Sequence, residues 1–118
     1  MTGQFSYNYR LHSRADYLKF FNKSEVFRLS ECLIFRIPNT LGHFRLGVTI
    51  KNRCSSVERN RIKRCLRESF RQQKDLLGSF DYNVVIPDKK KSHFPYQLKL
   101  RDCMYGEFIR KVAQLQSR

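Results

Sequence analysis

The stretch Glu58-Arg59-Asn60-Arg61-Ile62-Lys63-Arg64-Cys65-Leu66-Arg67-Glu68-Ser69-Phe70-Arg71 constrains this chain more than any other. At about 100° per residue, Ile62, Leu66 and Phe70 form an i, i+4, i+8 ladder with Cys65 and Ser69 beside it, while Asn60, Lys63, Arg64, Arg67 and Arg71 fall on the other side. The pattern predicts a helix braced by its apolar stripe against a sheet, with a row of cations carried away from the core. A charged helix face can simply be solvated, and that reading stands beside contact with a polyanion. Within this helix Glu58 and Glu68 alone offset the cations, so internal pairing cannot neutralise the face, which favours the polyanion. Arginine's planar fork takes phosphate oxygens in pairs and stacks on bases. Asn60 can donate and accept at once, so it can read a sugar or base edge or hold a metal-bound water. The free N–H groups of the helix N-terminus, near Arg59 to Arg61, add to anion affinity.

Around this helix the pattern reads as α+β. Ser13 to Phe21 forms a first helix, with Ser13 as cap and Asp16 in its first turn, stopped by Asn22-Lys23-Ser24. Glu25 to Ser30 is extended, Cys32 to Ile37 is a strand ended by Pro38-Asn39, and Thr40-Leu41-Gly42-His43 reads as a hairpin turn. In the next strand Phe44, Leu46, Val48 and Ile50 share one side, and Arg45, Gly47 and Thr49 the other. A loop, Lys51 to Ser56, leads to the basic helix, capped by Ser55 or Ser56. That helix runs to Gln73 or Leu77 and stops at Gly78. Tyr82 to Ile86 is a short buried strand closed by Pro87, and Asp88 to His93 is a charged loop. A last helix, Tyr96 to Gln116, carries Leu98, Cys103 or Met104, Phe108, Ile109 and Val112 on its apolar side. The order α-β-β-β-α-β-α predicts a small single-domain sandwich of a mixed sheet with helices. It spans residues 1–118, with an ordered core from about residue 8 to residue 116.

With 118 residues, the chain is long enough to bury roughly two-thirds of its unfolded surface. It has 24 Lys and Arg against 10 Asp and Glu, a formal net charge of +14. Self-repulsion on that scale weakens a compact state unless an anion relieves it. Nucleic acid is the first candidate partner and an anionic membrane the second. No apolar run reaches the roughly 18 residues needed to cross a bilayer, no secretory signal is visible, and the basic helix lacks a broad lipid-facing side. Cys32, Cys54, Cys65 and Cys103 form no CxxC pair and have no His at zinc-ligand spacing, so free, mostly buried thiols and a cytosolic location are expected. His12, His43 and His93 are scattered, and Asp16, Asp81, Asp88 and Asp102 are isolated, so no catalytic constellation and no metal site is expected on the polypeptide. Tyr17 and Phe21 share a face of the first helix, and Phe35 lies on the strand face opposite Ile34. They are either core or, with cations alongside, the walls of a groove for single-stranded nucleic acid.

The run Arg59-Asn60-Arg61-Ile62-Lys63-Arg64 followed by Arg67-Glu68-Ser69-Phe70-Arg71 resembles the signature of the bacterial ribonuclease P protein component. Ala15-Asp16-Tyr17 through Phe21, Arg45 through Ile50 and Asp81 through Ile86 extend the likeness over most of the chain. The resemblance implies an α+β domain with a left-handed β-α-β crossover. It implies a monomeric protein in a one-to-one complex with a catalytic RNA, in the cytoplasm. That complex removes the 5′ leader of precursor tRNA, with Mg2+ bound mainly by the RNA and no catalytic side chain on the protein. Carried over, Arg59, Asn60, Arg61, Lys63, Arg64, Arg67 and Arg71 are expected to bind the RNA, and Tyr17, Phe21, Phe35 and Thr49 to line the leader cleft. One departure is the segment Lys51 to Ser56, shorter and less basic than the Lys-rich, often Gly-containing loop that commonly precedes the signature. A general basic RNA chaperone without precursor specificity is the alternative.

Overall fold

A computed structural model of the chain describes residues 9–11, 14–21, 24–51, 55–87 and 96–116. The elements are α1 (Arg14–Leu18), a 3-10 turn (Lys19–Phe21), β1 (Glu25–Arg28), β2 (Leu33–Pro38), β3 (Arg45–Ile50), α2 (Ser56–Gln72), α3 (Lys74–Leu77), β4 (Phe80–Ile86), α4 (Tyr96–Cys103), a π-helical turn (Met104–Phe108) and α5 (Ile109–Gln116). The strands form one mixed sheet in the order β1-β2-β4-β3. β4 runs antiparallel to β2 and parallel to β3. The chain between β3 and β4 carries α2 and α3, the helical crossover that parallel neighbours require.

Strand pairing overturns one expectation. Residues 40–43 do not join a β2–β3 hairpin, because β4 lies between those two strands. The hairpin joins β1 to β2, closed by Leu29 N–H to Cys32 C=O at 3.0 Å. The 40–43 segment instead passes over the start of β4: Asn39 N–H donates to Ser79 C=O at 3.0 Å and Gly42 N–H to the Ser79 hydroxyl at 3.1 Å. Gly42 takes φ +84, a conformation that a side chain would strain.

One sheet face carries the main core. Phe27, Ile34, Leu46, Tyr82 and Val84 pack there against Ile62, Leu66 and Phe70 of α2 and Leu100, Met104, Phe108 and Val112 of the C-terminal helices. Phe108 stacks on Phe70 at 5.4 Å and meets Tyr82 edge-on at 5.9 Å. The Tyr82 hydroxyl donates to Leu77 C=O at 2.7 Å and ties the crossover to the sheet. The last helix is interrupted by the π-helical turn rather than regular, and Leu100 is buried on its inner side, while the side chain of Leu98 lies outside those described. Arg36 is only 5% exposed, sandwiched against the Phe80 ring at 4.0 Å and paired with Glu25 at 2.9 Å.

The opposite sheet face carries α1 and the 3-10 turn. Leu11, Phe20 and Ile37 form a second, smaller core there, with Tyr17 and Phe35 packed against it. The first helix was expected to run unbroken to Phe21, but it tightens after Leu18, which turns Phe20 inward and leaves Phe21 82% exposed. Ser13, the expected cap, lies outside the described residues, as do His12, Asn22, Lys23, Cys54, Asp88 and His93. Cys32, Cys65 and Cys103 are free thiols, two of them buried. No helix among the described residues is long and apolar enough to cross a membrane.

Candidate nucleic-acid interface

Ser55 starts α2 as its cap, its hydroxyl accepting the Glu58 N–H at 3.1 Å. From there the apolar ladder is buried as the wheel requires, but the cations do not form one outward row. Arg59, Asn60, Arg61 and Arg64 are exposed. Lys63 and Arg67, spaced i, i+4 between the apolar stripe and the outer ridge, are half-buried and turn over the edge of the sheet. Arg71, expected as a further RNA contact, donates to Glu68 at 2.9 Å in an i, i+3 pair and keeps only part of its charge available. These placements correct the expectation of a single outward row and give α2 an exposed ridge and a cleft-facing flank.

The flank faces a cleft of about 400 Å3, lined by Arg10, Tyr17, Gly47, Val48, Lys63 and Arg67 among others. Its floor is the outer edge of β3. The chain around Arg10 runs parallel beside that edge, with Leu11 N–H bonded to Leu46 C=O at 3.0 Å. Further along, the Val48 N–H lies beside the Tyr17 hydroxyl and partly offsets the effect of burial on the phenol. Tyr17 reaches the strand because residue 47 is glycine. A Cβ there would stand 2.6 Å from Leu11 Cδ1 and 2.8 Å from Tyr17 Cε1 and Oη.

Two acids position this wall without neutralising the cleft. Arg45 holds Asp81 through both ends of its fork, at 2.9 and 2.7 Å, and reaches Asp16 at 3.4 Å. Asn39 also donates to Asp81, at 2.8 Å. The hydrogen bond to Asp81 raises the Arg45 pKa further above its ordinary value. Asp16 adjoins Tyr17, so this latch fixes α1 over the sheet. Arg10, Lys63 and Arg67 have no ion pair among the described residues. The Nε of Arg10 is buried with no hydrogen-bond partner among the described residues. Burial, and next the charge of Arg10, lower the Arg67 pKa. Burial is also the main cause that raises the Tyr17 pKa. The arrangement is a set of cations that repel one another beside an aromatic ring, which an anion threaded with stacking groups would relieve.

The family model of Ribonuclease P matches residues 5–105. The chain belongs to the ribonuclease P protein family. The ribonuclease P protein component of Thermotoga petrophila is 34% identical over 93 residues, covering 78% of this chain and 80% of that one. That of Idiomarina loihiensis is 37% identical over 86 residues, covering 69% and 67%. A solved structure of the ribonuclease P protein from Thermotoga maritima, in complex with 1-(4-fluorophenyl)-2-thiourea, superposes with a TM-score of 0.73 at 27% identity, over 86% of this chain and 98% of that one. As a ribonuclease P protein component, the chain is part of an endoribonuclease complex and has an RNA subunit as partner.

Within this family member the two expected residue groups are not separate. Lys63 and Arg67, read as contacts to the RNA, share the cleft with Tyr17, read as a contact to the leader. Phe35 and Thr49 project from the same sheet face as Gly47, Phe35 in the same cross-strand row and Thr49 in the next one. Phe21 is exposed and outside the cleft lining. Arg10, Gly47 and Arg45 were not singled out from sequence. The single glycine in an otherwise bulky strand was the available signal for Gly47; Arg10 and Arg45 carried none.

Proposed function

We propose that this chain is the subunit that holds the single-stranded 5′ leader of precursor tRNA while the catalytic RNA cleaves it. The observation that carries the reading is the cleft: Arg10, Lys63 and Arg67, without an ion pair among the described residues, around Tyr17 on the floor of β3. Arg59, Asn60, Arg61 and Arg64, exposed on the ridge of the same helix, grip the folded RNA, and Arg71 adds a weaker contact at its end. One rigid helix therefore fixes the distance between the ribozyme surface and the leader. Phe35 and Thr49 extend the floor, and exposed Phe21 offers a stacking ring at the end of the same wall.

The protein's own contribution is binding and orientation. Its cations offset phosphate repulsion, which lowers the Mg2+ that the RNA needs. The acids beside the cleft do not suit a metal of their own, because Asp81 and Asp16 are bonded to Arg45. Mg2+ and the bond-breaking step therefore belong to the RNA in this reading. The chain acts as one RNA-binding unit, one copy per RNA, in the cytoplasm where precursor tRNA is made. The test adds the purified protein to a bacterial ribonuclease P RNA with precursor tRNA at low Mg2+. Cleavage should rise, and the complex should bind precursor more tightly than mature tRNA. Tyr17→Ala should lose about 1–3 kcal/mol of precursor binding. No stimulation, or equal affinity for both tRNAs, would sink the proposal and leave a general RNA chaperone.

A further inference from the structure

Asn83 is the odd residue of β4. Its neighbours Val84, Val85 and Ile86 suit a buried strand, whereas asparagine is poorly suited to one. It lies in the row Phe35–Asn83–Gly47, on the sheet face that carries Tyr17, and is 8% exposed. A polar side chain so placed carries a desolvation cost unless its groups are bonded. One half is bonded: the Thr49 hydroxyl donates to Asn83 Oδ1 at 3.2 Å. The other half is not. Nδ2 has no partner among the described residues, and the buried unpartnered side-chain atoms there are Arg10 Nε and Arg36 Nε alone, so this nitrogen meets solvent. Thr49 on β3 engages the carbonyl, which leaves the N–H2 group as the half of the amide without a partner among the described residues, in the row that Phe35 shares.

We infer that Asn83, oriented by Thr49, is a specificity-determining residue that offers its amide N–H2 to the edge of one leader base lying over Phe35. This rests on the leader occupying the cleft, as proposed above. Asparagine reads adenine by using both amide groups at once. Here the carbonyl is already engaged, so the amide acts chiefly as a donor. Donor-only reading suits an edge with adjacent acceptors, N7 and O6 of guanine or O2 and N3 of cytosine. Adenine and uracil interleave a donor with their acceptors and fit less well. Single-stranded bases expose these edges, which paired RNA does not.

The test uses the complex of this chain with a bacterial ribonuclease P RNA and measures Kd for precursor tRNAs whose leader is changed one position at a time through all four bases. At one position guanine and cytosine should bind about 3- to 10-fold tighter than adenine and uracil, the value of one added hydrogen bond. Asn83→Leu should flatten that preference to within about twofold. Thr49→Val, which frees the carbonyl, should improve adenine at the same position. A wild-type profile with no base preference at any position, or one that survives Asn83→Leu, overturns the inference. If Asn83→Leu does not assemble, Thr49→Val decides, and an unchanged profile overturns it. Mature tRNA and Tyr17→Ala separate the two levels. Loss of the precursor advantage itself defeats the proposed function, whereas a Tyr17-dependent advantage without base preference defeats only the role of Asn83.

Discussion

Gly47→Ala tests the construction of the cleft with one carbon atom. The new Cβ would lie 2.6 Å from Leu11 Cδ1 and 2.8 Å from Tyr17 Cε1 and Oη, well inside van der Waals contact. These are the far ends of side chains, so the backbone can stay and the side chains must leave. Displacing Tyr17 and Leu11 from their packed positions is overpacking, which costs about 1–3 kcal/mol. At roughly 4–8 °C per kcal/mol for a domain of about 100 residues, thermal unfolding resolves this readily. The functional outcome is selective: precursor tRNA should lose affinity for the complex and mature tRNA should not. A double-mutant cycle with Tyr17→Ala identifies the cause, because removing the ring first should cancel about 1 kcal/mol or more of the alanine's cost. Strict additivity, or a Gly47→Ala protein with wild-type stability and precursor affinity, would refute the claim that the missing side chain makes room for Tyr17.

Three further outcomes follow from other parts of the fold. Arg64→Ala removes an exposed ridge cation, so RNA affinity should fall and the slope of log K against log salt should shrink by roughly one; an unchanged slope means no phosphate contact. Arg45→Ala leaves the 2%-exposed Asp81 carboxylate without its main partner and should cost about 2–4 kcal/mol in urea unfolding, below the range for a fully enclosed pair because the guanidinium keeps solvent contact; a loss under about 0.5 kcal/mol would show that the latch holds nothing. Burial pushes the Tyr82 phenol from 10.0 up to about 12, a folded pKa above the unfolded one, so its stabilisation is complete below pH 10 and drains away as pH rises toward 12. Tyr82→Phe should therefore be about 1 kcal/mol less stable than wild type at pH 8, and wild type should lose roughly 2 kcal/mol more than the variant by pH 11.5. A stability gap that is constant between those pH values would contradict this.

The basic helix was legible because one segment carried every signal at once: a capping serine, an apolar ladder and a surplus of cations. Strand positions were also legible within one or two residues, since alternation marks which side of a strand is buried. Alternation says nothing about which strand lies next door, and that is why residues 40–43 read as a hairpin turn between strands that β4 separates. The first helix looked uniform because Tyr17, Phe20 and Phe21 are all large and apolar. The tightening after Leu18, which buries Phe20 and exposes Phe21, depends on packing against Leu11 and Ile37 from distant segments. The cleft was half visible. Tyr17 and the cations were found by residue type, but their meeting depends on Gly47 and on Arg45 bridging Asp16 to Asp81. Those are relations between elements, and no local pattern encodes them.

The insertion of β4 between β2 and β3 also governs how the chain is made. Synthesis delivers β2, β3 and all of α2 before Phe80 leaves the ribosome, so the three earlier strands wait without their central neighbour. Until then a lone β1–β2 hairpin is marginal in water, and the apolar ladder of α2 has no sheet to cover. A nascent chain truncated before Phe80 should therefore show no protected sheet amides, and closure should come in a single late step of high contact order. During that interval the cations of the uncovered α2 are already outside the exit tunnel, so an RNA can engage the polypeptide before its tertiary structure exists.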